Sequence, residues 1–277
     1  MLKNSVKHII IKKVSTNSII ETEDQLAVEE PLEIQVKYAP DGKQIKKSIS
    51  VTMRTPGNDE ELAVGFLFTE GIISNPGQIE SVKTDIFDEN KVIVTLTENV
   101  IPKLHSSERN FYTTSSCGVC GKSSIDAIKT VSSFPIKEDN ILIATGLFYT
   151  LQQTLSKQQE IFQNTGGLHA SAIFDLQGNF ILLREDVGRH NALDKVIGAS
   201  FLTGQLPLKN TILLLSGRAS FELIQKAGMA GIRIVAAIGA PSSLALELAE
   251  EFGITLIGFL GTEKFNIYSG SQRIILG

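Results

Sequence analysis

The chain has 277 residues, enough for one large domain or two smaller ones around a substantial buried core. Hydrophobic residues make up 42% and charged residues 20% of it, close to a globular average, which excludes disordered and fibrous classes. A net charge of −4, an aromatic fraction of 6% and the absence of Trp speak against a broad nucleic-acid surface or a stacking platform for single strands.

Residues 1–14 alternate apolar positions with Lys and lack the apolar centre of a signal peptide. No apolar run approaches membrane-spanning length, so a cytoplasmic protein without membrane or nucleic-acid partners is expected. Up to about Tyr112 the chain reads as β-rich with one helix. Glu33 to Tyr38 and Lys46 to Met53 flank the turn signal Pro40-Asp41-Gly42. Arg54-Thr55-Pro56-Gly57-Asn58-Asp59-Glu60-Glu61 reads as a loop entering a helix, with acids in the first turn where the helix dipole favours them, and Gly71 is placed to end it. Lys91 to Thr97 alternates as a strand.

The segment 106–124 is polar and carries the only two cysteines, in Ser115-Ser116-Cys117-Gly118-Val119-Cys120-Gly121-Lys122. It reads as a mobile loop, with 113–124 joining an N-terminal β-rich subdomain (1–112) to an α/β core (125–277). In the core, Leu142 to Gln163 is a long helix candidate broken at Thr165-Gly166-Gly167, and Gln177-Gly178-Asn179 signals a hairpin between 172–176 and 180–183. Strand-like runs 211–215, 233–238 and 255–259 alternate with helical segments 220–230 and 242–252, the grammar of a partly parallel sheet.

Ligands in such sheets collect at the carboxyl ends of the strands, against helix N-termini. Two turns qualify: Ser216-Gly217-Arg218 and Ala240-Pro241-Ser242-Ser243. The first offers a hydroxyl, a glycine that lets a ligand approach the backbone, and a guanidinium suited to phosphate. Ser216, Ser220 and Ser242 would equally serve as plain helix caps. Neither a Walker loop nor GxGxxG is present, which disfavours a generic ATPase or Rossmann dehydrogenase. Two histidines, two arginines and two acids (His169, Arg184, Glu185, Asp186, Arg189, His190) bracket the 177–179 hairpin and can converge on one mouth or pair structurally. His8 and His105 lie in surface-like sequence and receive no role.

A lone CxxC supplies two of the four ligands that zinc needs, and the deaminase zinc boxes are absent in order and neighbours. A thioredoxin-like pair has a different setting. The remaining reactive reading is a thiol that accepts sulfur and hands it on, for which a mobile loop is useful. No metal site is assigned.

Taken in order, Arg54-Thr55-Pro56-Gly57, Ser116-Cys117-Gly118-Val119-Cys120-Gly121, Thr165-Gly166-Gly167-Leu168-His169-Ala170, Arg184-Glu185-Asp186-Val187-Gly188-Arg189-His190-Asn191-Ala192-Leu193-Asp194-Lys195 and Ser216-Gly217-Arg218-Ala219-Ser220 resemble the FdhD family, the sulfur-carrier accessory proteins of formate dehydrogenase. The resemblance implies a sulfurtransferase that takes sulfur from a cysteine desulfurase as a cysteine persulfide. It then passes that sulfur to the molybdenum bis(pyranopterin guanine dinucleotide) cofactor, with formate dehydrogenase as client. It also implies a cytidine deaminase-like C-terminal core with a mixed sheet, a smaller β-rich N-terminal part, and a homodimer. By motif, Cys117 corresponds to the persulfide cysteine, with Cys120 assisting or resolving. Phe259, Leu260, Gly261, Thr262, Glu263 and Lys264 correspond to a cofactor-binding segment that would join Ser216, Gly217 and Arg218 around a GDP-like nucleotide. Where the family resemblance leads one to expect an arginine after Phe259-Leu260, this chain has Gly261-Thr262-Glu263. The alternatives carried forward are a non-catalytic chaperone for the same cofactor and a zinc-dependent deaminase.

Overall fold

The computed structural model describes residues 5–104, 134 and 139–275. The described chain opens with an antiparallel ribbon, β1 (Val6–Ser15) and β2 (Ser18–Ala27), with Ser15 opposite Ser18 across a two-residue turn. The sequence reading places no element on residues 15–27. Apolar and charged residues are mixed on both faces of this ribbon, so the alternation that marks a half-buried strand is missing from β2.

A four-stranded sheet follows in the order β4-β3-β6-β5, formed by β3 (Glu30–Tyr38), β4 (Ile45–Arg54), β5 (Ile79–Asp85) and β6 (Asp88–Leu96). The Pro40-Asp41-Gly42 turn lies between β3 and β4 as expected, with Asp41 and Gly42 at φ 52° and 76°. Leu32, Ile34 and Val36 of β3 and Val92, Val94 and Leu96 of β6 point to one buried face. That face is covered by α1 (Asp59–Thr69), which ends where Gly71 takes φ 73°.

The second, six-stranded sheet has the order β13-β12-β11-β10-β8-β9. Its strands are β8 (His169–Asp175), β9 (Phe180–Asp186), β10 (Thr211–Leu215), β11 (Ile234–Ala237), β12 (Thr255–Gly258) and β13 (Asn266–Ser269). The central trio β10, β11 and β12 is parallel, while β8, β9 and β13 run antiparallel to their neighbours. This is the mixed sheet that the α/β reading expects, beside a β-rich N-terminal part. Alternate residues of the trio feed two cores. Leu213, Leu215, Val235, Ala237 and Leu256 face α4 (Arg189–Leu202), α5 (Phe221–Met229) and α6 (Ser243–Glu251). Ile212, Leu214, Ile234, Ala236 and Ile257 face α2 (Thr145–Gln158) through Phe148, Leu151 and Leu155.

The helix expected over 142–163 is three pieces. Ile143–Ala144 is a short strand, β7, parallel to β14 (Ile274–Ile275), followed by α2 and then α3 (Glu160–Thr165). The break at Gln159 is stabilised from outside the segment: the Glu185 carboxylate accepts from the N–H groups of Ile161 and Phe162 at the start of α3, at 3.1 and 2.9 Å. Gly166, at φ 66°, ends α3. No described helix is long and apolar enough to cross a membrane.

The two sheets share one core, because α1 and α4 cross with their backbones in contact. A Cβ at Gly65 would stand 1.9 Å from the Asp194 carbonyl oxygen, and one at Gly198 would stand 1.8 Å from that of Glu61. Only glycine on both helices permits this approach. One apolar cluster therefore runs from Leu32 and Val92 through Leu62 and Leu67 to Val196, Leu223 and Leu248. The subdomain boundaries expected from sequence fall at 112–125, outside the described residues, as does the 113–124 loop.

Candidate functional site

The parallel trio ends in three turns that are tied to one another by main-chain bonds. Gly239 N–H donates to the Gly217 carbonyl at 2.9 Å, and Phe259 N–H donates to the Gly239 carbonyl at 3.1 Å. Gly239 admits this closeness, since a Cβ there would meet Arg218 at 2.9 Å. The structure thus brings the two segments 216–218 and 259–264 next to each other through Gly239. Sequence reasoning did not name Gly239, although its place directly before Ala240-Pro241 was the available signal.

Ser216 is locked in place: its Oγ accepts from Ala170 N–H at 2.8 Å, and its own N–H donates to the Ala170 carbonyl at 3.0 Å. Its hydroxyl proton remains available to donate. Arg218 is exposed and has no carboxylate partner among the described residues. Ser242 caps α6 by accepting from Ala245 N–H at 3.2 Å, as its plain structural reading expects, whereas Ser220 occupies the cap position of α5 without such a bond. Phe259 is 51% exposed at φ 52°, a left-handed conformation that is costly for a bulky residue and is braced here by its bond to Gly239. Leu260 is only 1% exposed and packs into the second core, so it offers a ligand no side chain. Gly261 N–H donates to the Lys264 carbonyl at 2.9 Å, closing a turn that leaves Thr262, Glu263 and Lys264 exposed.

The polar cluster around the 177–179 hairpin divides in two. Arg184 leaves the mouth to pair with Glu61 of α1, its Nη2 2.7 Å from Oε1. Glu185 serves α3. Asp186 is fully buried, accepts from Thr55 N–H, Gly188 N–H and Asn191 Nδ2, and lies 2.7 Å from Lys195 Nζ. Lys195 in turn donates to the Thr55 carbonyl at 2.9 Å, and Asn191 donates to that of Met53 at 2.8 Å. Burial pushes the Asp186 carboxyl up while Lys195 draws it down. Arg54, 1% exposed, is held by Asp59 at 3.0 Å, Asn90 at 3.0 Å and Glu30 at 3.4 Å. Met53 and Thr55 on one side and Asp186, Asn191 and Lys195 on the other, far apart in sequence, therefore form a single clamp between the sheets.

His169, Arg189 and His190 remain together at the strand ends. The edge of His169 lies against Gly217, whose absent Cβ would be 3.3 Å from Nδ1. Burial, reinforced by the charges of Arg189 and His190, holds the His169 imidazole below its usual range. His190 lies 3.8 Å from Glu222 and holds that carboxyl down to about 2. Cys117 and Cys120 lie outside the described residues. Among the described residues, no three His, Cys, Asp or Glu side chains are grouped as a metal site would require.

The model of the FdhD/NarQ family matches residues 27–275. The sulfur carrier protein FdhD of Mycolicibacterium paratuberculosis is 46% identical, over 95% of this chain and 97% of its own length. The protein of the same name from Thermoplasma volcanium is 39% identical, over 99% and 98% respectively. The chain belongs to the FdhD/NarQ family. The fold agrees: a candidate formate dehydrogenase accessory protein from Desulfotalea psychrophila superposes with a TM-score of 0.72 at 21% identity, covering 98% of this chain and 99% of that one. The FdhD/NarQ match begins at the last residue of β2, so the ribbon formed by β1 and β2 precedes the segment that defines the family.

Proposed function

We propose that this protein is a sulfur carrier that serves formate dehydrogenase. In this reading it accepts sulfur from a cysteine desulfurase as a persulfide on Cys117 and delivers it to the molybdenum bis(pyranopterin guanine dinucleotide) cofactor, its cargo. The near full-length identity to proteins named sulfur carrier protein FdhD carries the reading. The chain's two cysteines, three positions apart between Ser116 and Gly121, supply the thiol chemistry. A thiolate is needed to attack the donor, and Lys122, close by in the sequence, would favour it electrostatically. Cys117→Ala should abolish delivery of sulfur to the client enzyme. Delivery at the wild-type rate in that variant would support the chaperone reading instead.

The turn at 216–218, with 259–264 beside it, is the proposed seat of the cofactor's guanine nucleotide end. The residues suit a diphosphate: a donating hydroxyl on Ser216, close backbone approach at Gly217, an exposed guanidinium on Arg218 with no carboxylate partner among the described residues, and the N-terminus of α5. The exposed Phe259 ring gives the base an apolar surface. Arg218→Ala removes a charge-assisted bond of about 1.5–3 kcal/mol, roughly ten- to a hundredfold in affinity. Calorimetry with GDP measures it directly, and equal affinity for variant and wild type would exclude this turn. Dimerisation belongs to the same proposal.

A further inference from the structure

We infer that His169 and Arg189 form a second anion subsite beside the Ser216–Ser220 turn, and that His169 takes up a proton when a diphosphate binds there. This inference rests on the reading that the turn receives the phosphates of a nucleotide, and it adds a second wall and a proton to that site.

The placement follows from strand register. The antiparallel pairing of Ser171 with Leu215 carries His169, two residues earlier on β8, level with Gly217, two residues later than Leu215. Ala170, Ala172 and Phe174 face the α2 side of the sheet, so His169 and Ser171 share the opposite face with Ile173, toward α4. Ser171 is 1% exposed, and its hydroxyl has no hydrogen-bond partner among the described residues. The first residue of α4 is Arg189, and the Gly217 backbone lies against the imidazole from the other side. Arg189 acts on His169 from the start of α4, and Arg218 follows Gly217 directly in the turn.

The charged groups around His169 are few, and their balance is positive. From α4 come Arg189 and His190, and from α5 comes Glu222, which faces His190. From the end of β9 comes Asp186, whose charge is taken up by Lys195 and three further donors. Neither Arg189 nor Arg218 has a carboxylate partner among the described residues. Burial, with the same uncompensated charge that suits an anion, disfavours the protonated form of His169 in the free protein. A bound diphosphate reverses the sign of the local field and gives a protonated imidazole a hydrogen-bond acceptor, so binding and protonation favour each other.

The sign of the pH dependence follows. With His169 more basic in the complex than in the free protein, affinity is greatest below the free-state value and falls as pH rises through the bound-state value. A site built from arginines alone gives the opposite sign: guanidinium groups do not titrate there and favour the more ionised terminal phosphate, whose second pKa is about 6, so binding releases protons.

The test is calorimetry of GDP binding by the whole protein near neutral pH, in two buffers of different protonation enthalpy. Proton NMR of the His169 ring is followed in parallel on the wild type. Proton uptake by the wild type, its loss in His169→Gln, and a roughly tenfold or greater weakening in Arg189→Gln are expected. The His169 resonance should titrate at higher pH with GDP than without, a readout that needs no variant to fold. Binding that depends on Arg218 but shows no proton uptake and is indifferent to Arg189 would overturn this inference and leave the turn intact as the phosphate site. No GDP binding by the wild type would overturn both.

Discussion

Asp194→Ala is expected to destabilise the protein by about 3–5 kcal/mol, read as a large fall in the urea midpoint at unchanged slope. Asp194 is almost fully buried in α4, where it accepts from Thr69 Oγ1 at 2.8 Å and from Lys226 Nζ at 2.8 and 2.9 Å. The pair ties α1, α4 and α5 together, and Lys226 also lies 3.8 Å from Glu70 and over the Phe66 ring. Removing the carboxylate leaves an ammonium in a site that is 6% exposed at the side chain. Uncompensated buried charge, more than a lost attraction, is the source of the cost. The double variant Asp194→Leu/Lys226→Met should recover most of the loss, since it removes both charges at similar volume. A single variant within about 1 kcal/mol of wild type would show that water reaches the pair or that Glu70 takes over the ammonium.

Gly198→Ala should be nearly as damaging, although it adds one methyl group to a helix where alanine is otherwise preferred by about 1 kcal/mol. The new Cβ would sit 1.8 Å from the Glu61 carbonyl oxygen and 2.9 Å from Gly65 N. Backbone cannot swing aside as a side chain does, so α1 and α4 must move apart and drag the shared core open. Overpacking of this kind costs typically about 1–3 kcal/mol, and here it acts on the contact that joins the two sheets. Gly146→Ala, where nothing lies within 4 Å of the added methyl, is the matched control and should be neutral or slightly stabilising. Similar melting temperatures for Gly198→Ala and Gly146→Ala would contradict the close crossing.

These two sites also show what was legible in the chain. The central strands were, because 211–215, 233–238 and 255–259 are short apolar runs bounded by turn residues, and β10, β11 and β12 fall within a residue of those limits. Helix α4 was not. Eleven of its fourteen residues are buried, among them His190, Asn191, Asp194 and Lys195. Polar residues buried on several sides erase the 3.6-residue apolar stripe and read as chemistry when they are packing. The clamp made by Thr55, Asp186, Asn191 and Lys195 is illegible for the same reason, since pairing over 130 residues of separation leaves no local pattern. The turn proposed to hold the nucleotide could be singled out because its features are local: a strand end, a glycine, an arginine and a helix start. His169 was visible as a candidate, but its partner in space, Gly217, follows only from the β8–β10 register.

Sulfur on Cys117 is the claim on which the functional account stands, and intact-mass spectrometry after incubation with a cysteine desulfurase and cysteine tests it most directly. The account predicts that the wild-type chain gains the mass of one sulfur atom, that a thiol reductant removes it, and that Cys117→Ala gains none. A Cys117→Ala chain that still acquires the sulfur, or a wild-type chain that never does while the desulfurase is active, would contradict it.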